Sequence, residues 1–187
     1  MAVFFRGISW GAVENRPRRA LPHPGGFGSP LLARYNVAVA FVIRDFQLDD
    51  FEILWRIDQE CFPPGIAYSR EELRGYLRHR GSFTLVAAGA KDGKVAGFIV
   101  AHGGPTGHII TIDVSLGARR SGVGSLMLRA AEDRLRGAGS RAVGLETAVD
   151  NVSALSFYKR HGYSLIRTWP RYYSNGVDAL VMRKGLT

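Results

Sequence analysis

The chain is predicted to form one α/β domain, a mixed, mostly antiparallel twisted sheet of about seven strands with about four helices. Three observations predict it. Short apolar runs alternate with stretches of helical spacing along most of the chain. Lys91-Asp92-Gly93-Lys94 separates two apolar runs, and Asp-Gly between such runs is a strong hairpin signal. A basic glycine turn, Arg119-Arg120-Ser121-Gly122-Val123-Gly124, joins an apolar run to a long helical pattern. A strand that feeds a helix through such a turn belongs to α/β architecture.

The elements follow in order. Phe41 to Phe46 reads as a first strand. Leu48 to Cys61 reads as a helix, with Phe51, Leu54, Trp55 and Asp58 on one side and Ile57 beside them. Phe62-Pro63-Pro64-Gly65 stops it. Ser69 followed by Glu72 is a capping box that opens a helix over 70–80, and Gly81 closes it. Phe83 to Ala90 and Val95 to His102 are the hairpin strands, and Gly103-Gly104-Pro105 breaks the second. His108 to Val114 is the strand that enters the glycine turn. The helix after it, Ser125 to Arg136, buries Leu126, Met127, Ala130, Ala131 and Leu135, and Gly137 and Gly139 end it. Ala142 to Ala148 is a strand. Asp150-Asn151 caps a short helix over 152–160, which Gly162 ends. Tyr163 to Trp169 and Asp178 to Met182 are the last strands, linked through Tyr172-Tyr173-Ser174-Asn175-Gly176.

Residues 1–40 have no sustained period and read as a disordered basic extension, which leaves 41–187 as the folding unit. The whole chain has 187 residues, 46% of them hydrophobic, enough for a real core. No apolar run approaches the roughly 20 residues of a membrane span. The single Cys61 excludes an internal disulfide framework and a cysteine-held zinc, so a reducing cytoplasm is the default. His102 and His108 flank a glycine-rich loop, but no third ligand is spaced to join them, so no metal is expected. Net charge is +9, of which the first 40 residues hold +4. A basic surface suits an anionic cofactor, and would also suit RNA. No DNA partner is expected, and the chain is expected to be a monomer or weak dimer.

The glycine turn carries the first chemistry. The opening N–H groups of a helix have no internal partner, and the macrodipole places partial positive charge there. Glycines let an anion approach the backbone, and two arginines add formal charge, so the turn is a phosphate cradle. It is not a P-loop, which would end in Gly-Lys-Ser/Thr. It is not a dinucleotide fingerprint, since Met127 stands where a third glycine is needed. What remains is R-x-x-G-x-G.

A second constellation follows it. Glu146 lies near the end of an otherwise apolar strand, Asn151 at the next helix start and Tyr158 on that helix. Acyl transfer from a thioester to an amine needs a base for the ammonium proton. It needs an N–H for the oxyanion of the tetrahedral intermediate, and an acid for the leaving thiolate. Glu146, a strand N–H near Val114 and Tyr158 are residue types for these jobs.

R-x-x-G-x-G resembles the acyl-CoA loop of the GCN5-related N-acetyltransferase (GNAT) superfamily. Leu145-Glu146 through Asn151, Ala154, Tyr158 and Gly162-Tyr163 is similar to the signature of its RimI-like branch, the bacterial protein-alanine N-acetyltransferases. Arg171-Tyr172-Tyr173 followed by Asp178-Ala179 and Met182 looks like that branch's ending, and Cys61-Phe62-Pro63 like the substrate loop of N-terminal acetyltransferases. The resemblance covers about 41–183. It implies acetyl-CoA as donor and a protein N-terminus as acceptor, ribosomal by the branch. It implies Glu146 as general base and Tyr158 as general acid. It implies that Ile112, Asp113 and Val114 present backbone to the acyl arm. Arg119, Arg120, Ser121, Gly122, Val123, Gly124 and Ser125 would wrap the pyrophosphate, and Asn151 would touch the arm. Phe62, Pro63, Tyr172 and Tyr173 would line the slot for a peptide N-terminus. Asp113 departs from the apolar or small residue usual there, and Ser115-Leu116-Gly117 replaces the common Asp-Pro turn. A small-amine acceptor, and a non-catalytic acyl-CoA or RNA-binding module, are the alternatives.

Overall fold

The computed structural model describes residues 40–62, 67–173 and 175–187. The extension expected over 1–40 therefore lies outside the described residues, apart from Ala40. Seven strands make one sheet: β1 (Phe41–Asp45), β2 (Ser82–Gly89), β3 (Val95–His102), β4 (Thr106–Val114), β5 (Ala142–Ala148), β6 (Ser164–Trp169) and β7 (Ala179–Gly185). Their spatial order is β1-β2-β3-β4-β5-β7-β6. Every neighbouring pair is antiparallel except β4 and β5, which run parallel. The helices are α1 (Phe51–Cys61), α2 (Arg70–Arg78), α3 (Val123–Gly137) and α4 (Val152–Arg160).

The strand pleat distributes the core to two faces. On β3, Ile99 and Ala101 join Met127, Leu128 and Leu135 of α3 and Phe157 and Tyr158 of α4. Phe98 and Val100 face the other way, onto Leu54 and Ile57 of α1 and Leu73 of α2. A strand covered on both faces reads as one apolar run, which is why Val95 to Val100 shows no alternation.

β4 and β5 part early. Their pairing covers only Thr106 with Ala142, Gly107 with Val143 and His108 with Gly144. On the β3 side the register slips: Val100 pairs with Thr111 and Ala101 with Ile109, which leaves Ile110 as an extra residue. A bulge bends its strand, and this one follows the last β4–β5 pair by two residues. The bend carries the end of β4 away from β5 and opens a wedge in the middle of the sheet.

Some boundaries differ from the sequence expectation. A 3-10 turn, Leu48–Asp50, precedes α1, since the Asp50 carboxylate is held by the Gln47 N–H (2.8 Å) and by Arg44 (2.6 and 2.7 Å). α2 stops at Arg78 because His79 is extended. α3 begins at Val123, not Ser125. Its buried stripe contains Val123, Leu128 and Glu132, while Leu126 and Ala130 are half-buried. Glu132 tolerates burial because Tyr163 Oη (3.0 Å) and Lys184 Nζ (2.6 Å) both donate to it.

At the mouth of the wedge β3 and β4 touch through backbone. A Cβ on Gly97 would sit 2.4 Å from the Asp113 carbonyl oxygen and 3.2 Å from Val114 Cα. Gly97→Ala is therefore expected to destabilise the fold by about 1–3 kcal/mol through overpacking. It should appear as a lower urea midpoint with an unchanged m-value; an unmoved midpoint would contradict the close approach.

Candidate active site

A cleft of about 1000 Å³ occupies the wedge. Val114 lines it from the end of β4 and Ala148 from the end of β5. The glycine turn and α3 contribute Arg119, Arg120, Gly122, Val123, Gly124 and Ser125. Asn151, Phe157 and Arg160 come from α4 and its start, and Cys61, Phe62 and Tyr173 close the mouth. Three arginines line it against one carboxylate, Asp150, among the described residues. The balance favours an anion.

The turn is built for that anion. Gly122 precedes α3 at φ +86°, a backbone conformation that costs a side chain about 1–2 kcal/mol. Arg120 also has positive φ, 65°. The first bond that closes onto Gly122 is Leu126 N–H to the Gly122 carbonyl, 3.1 Å. The N–H groups of Val123, Gly124 and Ser125 thus have no partner within the helix. Gly124 has only ordinary van der Waals neighbours at a built Cβ, Phe157 and Val114 at 3.7 Å, so its hydrogen keeps cleft volume rather than relieving strain. Ser121 is not part of the lining: its hydroxyl donates to the Ala118 carbonyl at 2.6 Å and closes the turn. Arg119 Nε donates to the Val114 carbonyl at 3.3 Å, which ties the turn to the end of β4. Asn151 lines the cleft and also caps α4, accepting the Ala154 N–H at 3.1 Å.

Glu146 points to the opposite face of the sheet from Leu145, toward the α1 and α2 side. It is 3% exposed. Its Oε2 lies 3.1 Å from His108 Nε2, close but without hydrogen-bond alignment, so the contact is electrostatic. Sequence reading weighed His108 only as a metal ligand and missed this pairing. The signal was parallel strand register: His108 pairs with Gly144, and Glu146 is the next residue on that face. Among the described residues no cluster of His, Cys, Asp and Glu could hold a metal ion.

Tyr158 reaches from α4 into the core and is fully buried, with no hydrogen-bond partner for its hydroxyl among the described residues. Burial, then the nearby Asp113, holds the phenol well above its ordinary pKa, so it stays protonated. Ile112 and Asp113 are buried behind Val114, and neither lines the cleft. Asp113 accepts the Thr111 hydroxyl at 3.0 Å, while its second oxygen has no partner. Burial and then Asp58 raise its pKa strongly. Phe62, Tyr172 and Tyr173 pack into one aromatic cluster with Trp169, Tyr172 stacking on Trp169 at 5.4 Å. Tyr172 stands behind Tyr173 rather than in the cleft lining. Pro63 lies outside the described residues.

Asp58 of α1 accepts the Tyr68 N–H at 2.8 Å and the Gln59 amide at 3.0 Å, yet is completely buried. Burial pushes its pKa up to about 7 from an ordinary 3.8. Below 3.8 both folded and unfolded chains hold the proton, and the group is silent. Between 3.8 and about 7 the unfolded chain releases it while the fold retains it, so stability falls as pH rises. Asp58→Asn keeps an acceptor for Tyr68 and removes the titration. It is expected to be more stable than the wild type near neutral pH, on the order of a few kcal/mol, with no gain at about pH 4. Urea unfolding at the two pH values measures this, and an equal gain at both would reject the assignment.

Comparison with known proteins bears on this geometry. The profile of the Acetyltransferase (GNAT) family matches residues 51–163. An "Uncharacterized N-acetyltransferase" of Methanocaldococcus jannaschii is 32% identical over 145 residues, 76% of this chain and 90% of that protein. N-alpha-acetyltransferase 30 of Schizosaccharomyces pombe is 30% identical over 118 residues, 60% of this chain and 77% of that protein. The solved structure of Ard1 from Thermoplasma volcanium superimposes with a TM-score of 0.72 at 30% identity, covering 80% of this chain and 99% of that one. This chain belongs to the Acetyltransferase (GNAT) family and is an N-acetyltransferase.

Proposed function

We propose that the protein is an acetyl-CoA-dependent N-α-acetyltransferase that acetylates the N-terminal amine of a protein. The observation that carries this reading is the wedge. It has a helix start and arginines suited to phosphates on one side, and a buried carboxylate–imidazole pair, Glu146 and His108, on the other face of the parted strands. The activity named for the fission-yeast relative supports it.

Acetyl-CoA supplies the activated acyl group. Arg119, Arg120 and the N–H groups of Gly122 to Ser125 receive its pyrophosphate, while Ser121 holds the turn in shape. Backbone at Val114, with Ile112 and Asp113 fixing the strand behind it, and the side chain of Asn151 hold the pantetheine arm. Glu146 accepts the amine's proton and His108 passes it outward. An α-amine has a pKa near 8, against about 10.4 for lysine, so one modest base suffices. Tyr158, kept neutral by burial, donates a proton to the departing thiolate. Phe62, Tyr172 and Tyr173 form the acceptor slot, to which the sequence motif adds Pro63. A ribosomal-protein acceptor and the RimI-like subdivision rest on the sequence motifs, the cytoplasmic setting on the single cysteine, and the division at residue 40 on the lack of apolar period before it.

Thiol release from acetyl-CoA tests the reading with three acceptors: a peptide beginning with Ala, the same peptide blocked at its N-terminus but carrying an internal Lys, and spermidine. Release with the free Ala peptide alone is expected; release with spermidine alone overturns it. Glu146→Gln should lower kcat on the Ala peptide by about 10²–10⁴ with KM for acetyl-CoA unchanged. Full activity of Glu146→Gln combined with Tyr158→Phe would sink the mechanism.

A further inference from the structure

We propose that His161 is a positioning residue for the donor's phosphates, acting through Ser125, a role that rests on the acyl-CoA reading of the cleft. Ser125 Oγ lies 2.8 Å from His161 Nε2. In the first turn of α3, Val123 is buried and Gly124 has no side chain, so Ser125 alone can add a side-chain donor to the N–H groups there. Ser125 lines the cleft.

The imidazole is held from two directions. The backbone N–H of His161 caps α4 on the carbonyls of Phe157 (3.2 Å) and Tyr158 (3.0 Å) and so fixes where the side chain starts. The ring packs 4.5 Å from that of Phe157, which itself lines the cleft. Burial first, then Arg129, Lys184 and Arg160 against an opposing Glu132, hold His161 below its ordinary pKa, so the ring is neutral at neutral pH.

A neutral imidazole has one N–H, and a serine hydroxyl has one hydrogen and two acceptor lone pairs. An anion at a helix start offers acceptors only. If His161 Nε2 were the acceptor, Ser125 would spend its hydrogen on the ring and turn lone pairs toward the phosphates. If Nε2 bears the hydrogen, the serine accepts it and its own O–H is free to point into the cleft. The second tautomer is the one that makes Ser125 a phosphate ligand, and His161 fixes that direction without touching the donor molecule.

The experiment compares acetyl-CoA with S-acetyl-pantetheine, which ends before the phosphates, in steady-state transfer to the Ala peptide. His161→Phe keeps the ring packing and removes the donor. It should raise KM for acetyl-CoA about tenfold, the size of one hydrogen bond to a charged group, leave kcat unchanged, and leave kcat/KM for S-acetyl-pantetheine unchanged. His161→Gln, whose amide can donate from a similar place, should recover most of the loss. Ser125→Ala should match His161→Phe, and the double variant should be no worse than either. An equal loss with both donors, independent effects in the double variant, or wild-type behaviour of His161→Phe overturns the proposal while the acyl-CoA reading stands. A wild-type chain that binds neither CoA nor acetyl-CoA overturns both.

Discussion

The constraint on which the rest depends is the early separation of two parallel strands. β4 and β5 share three residue pairs and then diverge, so each carries an unpaired inner edge into the interior. Buried backbone groups without partners are costly. Parallel sheets rarely leave such a gap, and here the bulge at Ile110 creates it. An extended ligand with amides and carbonyls of its own is the natural complement to two such edges. The pantetheine arm of the proposed donor has that chemistry. The helix start, the arginines, the aromatic mouth and the carboxylate–imidazole pair are all placed by where the two edges end.

The wedge also divides the electrostatics. On the α3 and α4 side the cleft has three arginines and the positive end of a 15-residue helix. On the α1 and α2 side the sheet buries Asp58, Asp113 and Glu146. A phosphate-bearing donor suits the first face, while on the second burial holds Asp58 and Asp113 toward the neutral form. Tyr158 lies between, fully buried and far from ionising.

Much of this was legible in the sequence. Period and turn chemistry gave the seven strands and four helices in order, because each element is locally consistent: the Ser69 capping box, the Asp92-Gly93 hairpin, Gly162 after α4. The turn before α3 was legible because a left-handed residue at the helix start calls for glycine, here Gly122 at φ +86°. The wedge was not. It depends on a one-residue register slip between β3 and β4, and apolar-rich runs carry no signal of register. His108 escaped for the same reason, since its tie to Glu146 exists only once two distant strands are laid in parallel register. The helical pattern of α3 placed Leu126 and Ala130 in the core and left Glu132 out. The partners that allow Glu132 inside, Tyr163 and Lys184, arrive from the far end of the chain.

A gap in a sheet must also be kept from collapsing, and the free end of β4 is held from one side only. Ser115 N–H reaches the Ala96 carbonyl at 2.9 Å, and Gly97 lets the two backbones close up just there. The Val114 carbonyl accepts both Arg119 Nε and the Cys61 thiol, at 3.3 and 3.4 Å. These contacts draw β4 toward β3, α1 and the glycine turn, away from β5. The buried acids beneath the strand oppose that tightness: Asp58 and Asp113 each leave one oxygen unpartnered. Burial pushes both toward the protonated form, and Asp58 adds to the rise at Asp113. The end of β4 is therefore fixed in position yet costly to bury, and the cost is least when at least one of the two carboxyls holds its proton.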